Sequence, residues 1–382
     1  MSNRVDSSFL WELKEYGAVG AEICFNCGTC TAQCPMASDG HTYPRNMIRL
    51  SQLGLKDQIL NNMDPWLCYY CGDCSETCPR EAEPGETMMA LRRWLTAEYD
   101  WTGLARKFYT SVVWEIGSVL LLAFMVVVGF TLFHGPIVTD SVDLNSFAPA
   151  HIIEILDWIM FVVLGALLLS NVVHMVYLIR RGSKVKAPFS LYLTEAWELV
   201  VQFTTQVRWS QCEGEKKRFW AKISWRNHWI LTAGYVTMLI LIVVFLRWFQ
   251  TDNIYPIWHP QRWVGYLATA ALIFGAGDVI WGRIKKNNQM HRFSHPSDWM
   301  FPILILVTAL TGIFVHIFRY MGLPLATYGT YVIHLTVLVP MLVLEVPFGK
   351  WSHLAYRPVA VYLLRVNEKA QEREQEIVVV VA

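Results

Sequence analysis

Charge is scarce in this chain: acidic and basic side chains make up 16% of its 382 residues and nearly cancel, leaving a formal net charge of +1. No basic stripe stands out, so no nucleic-acid surface is expected. The N-terminus has no charged-then-apolar run with a cleavage site, so export and the disulfides that accompany it are not expected. No C-x-x-C-H run occurs, which excludes covalently attached haem. Flavin, nucleotide and substrate motifs are missing too. Cysteine is confined: eight of the nine fall before residue 80, in two short runs.

Those runs match position for position. Cys24, Cys27, Cys30 and Cys34 read C-x2-C-x2-C-x3-C-P, closing on Pro35, and Cys68, Cys71, Cys74 and Cys78 repeat the spacing, closing on Pro79. This is the ligand pattern of a bacterial-type ferredoxin with two 4Fe–4S clusters, in which the fourth cysteine of each run serves the other cluster. Structural zinc uses paired C-x2-C knuckles, and these runs put too many ligands too close together for it. The expected sets are Cys24, Cys27, Cys30 and Cys78 on one cluster, and Cys68, Cys71, Cys74 and Cys34 on the other. Gly28 and Gly72 sit inside the loops, where the lack of a Cβ lets backbone N–H groups turn toward sulfur. Cys212 stands alone in a polar loop and reads as an ordinary thiol.

Between the runs, Tyr43 to Met63 is too long for a compact ferredoxin hairpin. Its apolar residues Met47, Ile48, Leu50, Leu53, Leu55, Ile59 and Leu60 suit short helices. Thr87 to Tyr99, carrying Arg92 and Arg93, reads as another helix. An alpha-helical ferredoxin domain over 1–105 is therefore expected.

Beyond residue 108 the chain turns apolar. Overall it is 54% hydrophobic with 17 tryptophans. Six runs, about 110–133, 152–179, 229–249, 262–282, 299–319 and 327–348, each supply roughly the 20 residues that cross ~30 Å of hydrocarbon as a helix. The expected fold is all-α: the ferredoxin domain, a six-span helical bundle over 106–365 with a loop at 180–228, and a tail at 366–382. Basic residues gather on one side, with Arg180, Arg181, Lys184, Lys186 and Lys216 to Arg218 in the long loop. Only Arg247, Arg262 and Arg319 fall on the other. Such asymmetry predicts a multi-pass protein of the cytoplasmic (inner) membrane, with both termini and the iron–sulfur domain on the cytoplasmic side.

Histidines inside spans are costly and mark sites. His174, His316 and His334 lie within the runs, and His134, His151, His228 and His353 lie at their ends. Several histidines at matching depths favour b-type haem, held by axial histidines. His316 with His334 is the expected outer pair, with His151 or His134 as substitutes for His316. His228 with His353 is the expected inner pair, with His174 as the competitor. Two haems b are expected, or one. An intramembrane histidine can also be a plain hydrogen-bonding group, the reading given to His259, His291 and His295. His151, Glu154 and Asp157 head the second span at helical spacing and are candidate proton acceptors; capping of the helix start is the other reading of the two acids. Arg180, Arg181 and Arg283 are candidate propionate contacts, and Asp278 and Glu345 candidates for an inner quinone or propionate site.

Residues 15–100 resemble the small iron–sulfur subunit, the C subunit, of heterodisulfide reductases, through the cysteine runs and Tyr43-Pro44-Arg45-Asn46-Met47-Ile48-Arg49. Residues 110–365 resemble the cytochrome b subunit of respiratory nitrate reductase and the related membrane subunit of heterodisulfide reductase. His334-Leu335 and Pro347-Phe348-Gly349-Lys350-Trp351-Ser352-His353, followed by Arg357-Pro358-Val359, carry that likeness. His228 matches the inner ligand of the partner helix, but Met238 stands where its second histidine is expected. Fused in this order, the two parts resemble the C subunit of the quinone-interacting membrane-bound oxidoreductase complexes of sulfate reducers. The resemblance implies flavin- and cluster-bearing A and B subunits on the cytoplasmic side. It also implies electron exchange between menaquinol and adenylylsulfate reductase through the haems and clusters. The alternatives are a membrane anchor with structural haems and a heterodisulfide-reductase-type subunit with another acceptor. The C-C-G motifs of heterodisulfide-cleaving subunits are absent, so disulfide chemistry is not expected on this chain.

Overall fold

The computed structural model describes residues 5–38, 40–183, 185–211, 218–286 and 288–381, so Cys212, Lys184, Lys216 and Lys217 lie outside the described residues. Among the described residues the fold is all-α, with one isolated bridge between Ser38 and His41 and no strand.

The cluster region is built from short helices around one long one. Arg45–Gln52 buries Met47, Ile48 and Leu50 while Arg45 and Arg49 stay exposed, the pattern of a helix packed on one face. Pro84–Tyr99 is buried nearly all round and starts with proline in its first turn, where the missing N–H costs nothing. Its Trp94 and the neighbouring Trp66 are each 1% exposed, and each indole N–H finds an acceptor, Glu12 at 3.0 Å and the Tyr99 hydroxyl at 3.2 Å.

Among the described residues six helices are long and apolar enough to cross a membrane: Val112–Phe133, Ala150–Gly182, Ser224–Val243, Pro260–Lys285, Ser297–Tyr320 and Pro324–Glu345. Ser111 caps the first, its hydroxyl accepting from Trp114 N at 3.4 Å. Pro260 and Pro324 open the fourth and sixth. The first two spans bury 0% and 6% of their apolar windows within the chain, so Leu120, Phe124, Ile155 and Ile159 face outward, a surface suited to hydrocarbon.

Two ends differ from the sequence reading. The third span breaks at Val243 instead of running to 249, and Leu246–Phe249 forms a separate turn. Ile242, Val243 and Val244 are β-branched, which weakens a helix without lowering its hydrophobicity. The sixth helix ends at Glu345: Val346 keeps helical backbone, but Pro347 has no N–H to continue the hydrogen-bond ladder. A last helix, His353–Val381, then runs unbroken through the expected tail boundary. Its Tyr356 packs on Trp66 and Tyr99, at ring separations of 4.9 and 5.4 Å, so cluster region and spans share one apolar core.

Candidate functional site

The two cysteine loops fold alike. In each, the residue two after the first cysteine is left-handed, Asn26 and Tyr70 both at φ 58°, and its N–H donates to that cysteine's sulfur at 3.4 Å. Asn tolerates left-handed backbone, but it costs Tyr about 1–2 kcal/mol, so at Tyr70 the N–H···S geometry, not side-chain preference, dictates the turn. Gly28 at φ 93° and Gly72 at φ 91° follow and open Thr29–Gln33 and Asp73–Glu76. Ala82 N donates to Cys78 at 3.4 Å. Such donors stabilise sulfur carrying negative charge.

Cys24, Cys27, Cys30 and Cys78 line one small cavity together with Arg45. Cys34, Cys68, Cys71 and Cys74 form a second group within each other's fields. Burial pushes the thiols of Cys30 and Cys34 up to about 11 and that of Cys71 to about 12, and holds Cys74 well above the usual thiol range. Thiols so crowded ionise only beside compensating positive charge, which iron would supply. Buried Arg92 lies in the field of Cys68 with its Nη2 unbonded, which suits a group of net negative charge. Among the described residues no three His, Cys, Asp or Glu side chains form a site for a single metal ion. A cubane asks for something else, one cysteine on each of its irons around a larger group.

The loops face different ways. Cys27 and Phe25 are exposed, with Arg80 lying 4.1 Å over the Phe25 ring. The second run packs on the membrane part. A Cβ on Gly72 would lie 2.7 Å from the side chain of Gln289, which donates to Glu83 at 2.8 Å. Arg357 donates to the Cys68 carbonyl at 3.3 Å and lies 4.6 Å over the Tyr69 ring. Tyr69 stacks on Trp209 at 6.2 Å, Trp209 meets His228 edge-on at 4.9 Å, and the rings of His228 and His353 are 5.9 Å apart.

His353 Nδ1 is bonded to the Lys350 carbonyl, and His228 Nδ1 lies 3.4 Å from the Thr232 hydroxyl, which leaves each Nε2 for a metal. Metal–nitrogen bonds of about 2 Å put the ring centres of two axial histidines roughly 6 Å apart, close to the spacing found. The cavity beside His353 is only about 10 Å³, closed in by Tyr69, Gln202, Gln206 and Arg357. The ring spacing is the better guide to fit, since two long helices set it while the surrounding side chains can turn aside.

The other inner candidates are engaged elsewhere. His174 Nδ1 lies 3.0 Å from the Tyr99 carbonyl and ties the second span to the helix Pro84–Tyr99. Arg283 lies 3.7 Å from Asp298, which also pairs with Arg93 at 2.8 Å and with Lys350. Glu345 accepts from Lys350 N at 2.7 Å, Asp278 from Asn227 at 3.1 Å, and Arg180 lies 4.7 Å over the Tyr192 ring.

Toward the other end of the spans lies a cavity of about 220 Å³, apolar except for a few groups that include His334, His316, Tyr266, Asp157, Arg262 and Arg319. His334 bonds Thr311 at 3.0 Å, and a Cβ on Gly312 would come within 3.2 Å of its ring. It therefore stands about one turn inward of His316. His316 Nε2 is held by the Tyr266 hydroxyl at 2.8 Å, and its ring lies 4.3 Å from Tyr320. Ligation by His316 requires exchanging that bond for iron. Met238 lines the same cavity, and a thioether can serve as an axial haem ligand.

The three outer acids and bases separate. Asp157 reaches the cavity, Glu154 is paired with Arg247, and His151 is exposed at the span's start. His134 Nδ1 lies 2.7 Å from the Gly135 carbonyl. Sequence reasoning missed Tyr69, Trp209, Tyr266 and the cavity role of Arg262. Only Arg262 gave a signal, as a charge inside an apolar run.

Residues 20–82 match the family model of the 4Fe-4S dicluster domain. The cluster region is similar to the C subunit of heterodisulfide reductase. A heterodisulfide reductase C-subunit-like protein of Archaeoglobus profundus is 38% identical over 112 residues, 29% of this chain and 59% of that protein. The C subunit of the H(2):CoB-CoM heterodisulfide,ferredoxin reductase of Methanothermobacter marburgensis is 38% identical over 63 residues, 16% of this chain and 34% of its own. Citrate utilization protein B of Escherichia coli is 35% identical over 108 residues, 27% of this chain and 26% of its own. The chain thus spans less than two thirds of the length of each of these relatives. No solved structure matches. Together these findings support an iron–sulfur electron-transfer role joined to six membrane-type helices.

Proposed function

We propose that this chain is the membrane subunit of a quinol-linked oxidoreductase complex of the inner membrane. It takes electrons from menaquinol and delivers them to the cytoplasmic flavin- and cluster-bearing A and B subunits, and through them to adenylylsulfate reductase. The observation that carries this reading is the unbroken packing from the Cys68 loop through Arg357, Tyr69 and Trp209 to His228 and His353. Haem b and 4Fe–4S groups supply the one-electron steps between a two-electron quinol and the partner.

His228 and His353 would hold the inner haem, and His334 with His316 or Met238 the outer one. Cys24, Cys27, Cys30 and Cys78 hold one cluster; Cys34, Cys68, Cys71 and Cys74 hold the other. Tyr69 and Trp209 fill the gap between the second-run loop and the inner histidines, and Arg357 pins the two together. The exposed loop around Cys27 and Phe25 faces the soluble partner. Oxidation of menaquinol to menaquinone releases two electrons and two protons, and Asp157 accepts a proton in the outer cavity. A second reading keeps this relay but ends it on a heterodisulfide-type acceptor; the similarity of the cluster region to the C subunit of heterodisulfide reductase favours it.

Anaerobic addition of a reduced menaquinone analogue to the purified complex tests the order. The b-haem absorbance bands should respond before the cluster EPR signals. Clusters reduced while haem stays oxidised, or a preparation without haem, sink the relay. Replacing His334 by alanine should remove one b-haem and spare the cluster signals, and comparing His316→Ala with Met238→Ala identifies the opposite ligand.

A further inference from the structure

We infer that Arg262 and Arg319 form an anion-binding mouth to the outer cavity, built for the carboxylates of the cofactor inside it, which for b-type haem are the propionates. The inference rests on reading the cavity as a haem site.

Arg262 is 5% exposed and lines the cavity, yet neither its Nε nor its Nη2 has a hydrogen-bond partner. It lies near the rings of Tyr255 and Tyr320, at 5.9 and 6.0 Å, the outer limit of a useful cation–π distance. Arginine keeps its charge, and an unpaired buried charge is among the costliest groups a fold can hold. Position makes this worse. Arg262 lies in the first turn of Pro260–Lys285, where the helix dipole already presents positive potential.

Arg319 is 6% exposed and comes from the last turn of Ser297–Tyr320. It donates to the carbonyls of Thr251 and Asn253 but leaves Nε unbonded. Of the acids at this end, Glu154 is paired with Arg247, Asp252 accepts from Asn145 at 2.6 Å while lying in the field of Arg319, and Asp157 lines the cavity without a bond to either guanidinium. Among the described residues no ion pair joins a carboxylate to either guanidinium. Arg262 is thus left without a bonded anion from the chain, and a carboxylate or phosphate entering the cavity would supply one.

Its chemistry follows from the donors. Planar guanidinium groups suit carboxylate or phosphate oxygens, through paired N–H bonds. A porphyrin propionate and a lipid phosphate share that chemistry. Burial favours the propionate, because both arginines open onto the cavity that holds His334 and are nearly closed to the exterior.

The test is a redox titration of the purified complex carrying Arg262→Gln, Arg262→Lys or Arg319→Gln, with cluster EPR as the folding control. Losing a nearby cation disfavours the electron-richer reduced haem. We expect Arg262→Gln to lower the reduced-to-oxidised ratio of one haem about tenfold at fixed potential, a midpoint fall of about 59 mV for a one-electron couple. The other haem and the clusters should not move, and Arg262→Lys should keep most of the wild-type value. Should Arg262→Gln fail to assemble, Arg319→Gln is expected to shift the same haem in the same direction. Unchanged midpoints at full haem content overturn the proposal, and loss of co-purifying phospholipid phosphorus at unchanged midpoints reassigns the mouth to lipid. A wild-type complex lacking b-haem shows instead that the underlying haem reading has failed, and this proposal falls with it.

Discussion

Arg93 and Arg262 are both buried, and the chain treats them in opposite ways. At the inner junction, Arg93 is 5% exposed and meets Asp298 at 2.8 Å and the Tyr16 carbonyl at 2.8 Å, while Lys350 and Arg283 crowd the same carboxylate. Single atoms there stay unbonded, Arg93 Nε and Glu86 Oε1 among them. Each cation nonetheless has an anion supplied by the fold. At the outer cavity Arg262 has none. The junction is thus complete as it stands, and its charges lock helix Pro84–Tyr99 to the start of the fifth span. The outer cavity is complete only with something in it.

The sharpest way to break this contrast is Asp298→Asn. It removes the one carboxylate that Arg93, Lys350 and Arg283 share. Taking one partner from a buried ion pair costs about 3–5 kcal/mol because the other charge is left uncompensated. Thermal unfolding of the detergent-solubilised complex, followed by cluster absorbance, should show a loss of that size. A loss below about 1 kcal/mol, the worth of a surface pair, means the junction does not depend on its own charges, and the contrast with the outer cavity collapses.

The second test is pH. Burial raises the Glu86 carboxyl from its usual 4.5 to about 7. Between those values the folded state holds the proton more tightly than the unfolded chain, so Glu86 makes stability fall as pH rises from about 4.5 to 7, with no further loss above. At 1.36 kcal/mol per pK unit the full swing is at most roughly 3 kcal/mol. Unfolding midpoints for wild type and Glu86→Gln at pH 5, 6, 7 and 8 check this. The substitution should flatten the decline across that window, and parallel curves refute the role.

These contrasts also mark what a sequence can reveal. The cysteine runs are readable because a cluster demands one residue type at fixed spacing, and the loops at Asn26 and Tyr70 obey that demand even against backbone preference. The six spans are readable because hydrocarbon tolerates nothing else. Asp298 has no local signature: its partners stand at positions 93, 283 and 350, and only folding brings them together. Depth is the hardest quantity to read. Counting residues puts His316 and His334 within reach of one plane, but the register of the fifth and sixth spans sets His334 against Thr311 and Gly312, and Tyr266 occupies the His316 ring. Met238 carries no pattern beyond being apolar, yet it lines the same cavity.

The smallest test asks whether the junction holds chain or cofactor. His174 competes with His228 and His353 for the inner haem on position alone, but its ring nitrogen lies 3.0 Å from the Tyr99 carbonyl. If that bond is its role, His174→Phe removes one hydrogen bond at a part-buried site, costing about 1 kcal/mol. The haem spectrum should be unchanged, because the donors at His228 and His353 remain. Loss of one b-haem band in this variant, with the bands intact in His228→Ala, moves the inner ligand to the second span. The packing from Cys68 through Trp209 to His228 would then stop short of the ligand, and the junction would be a ligand site like the outer cavity.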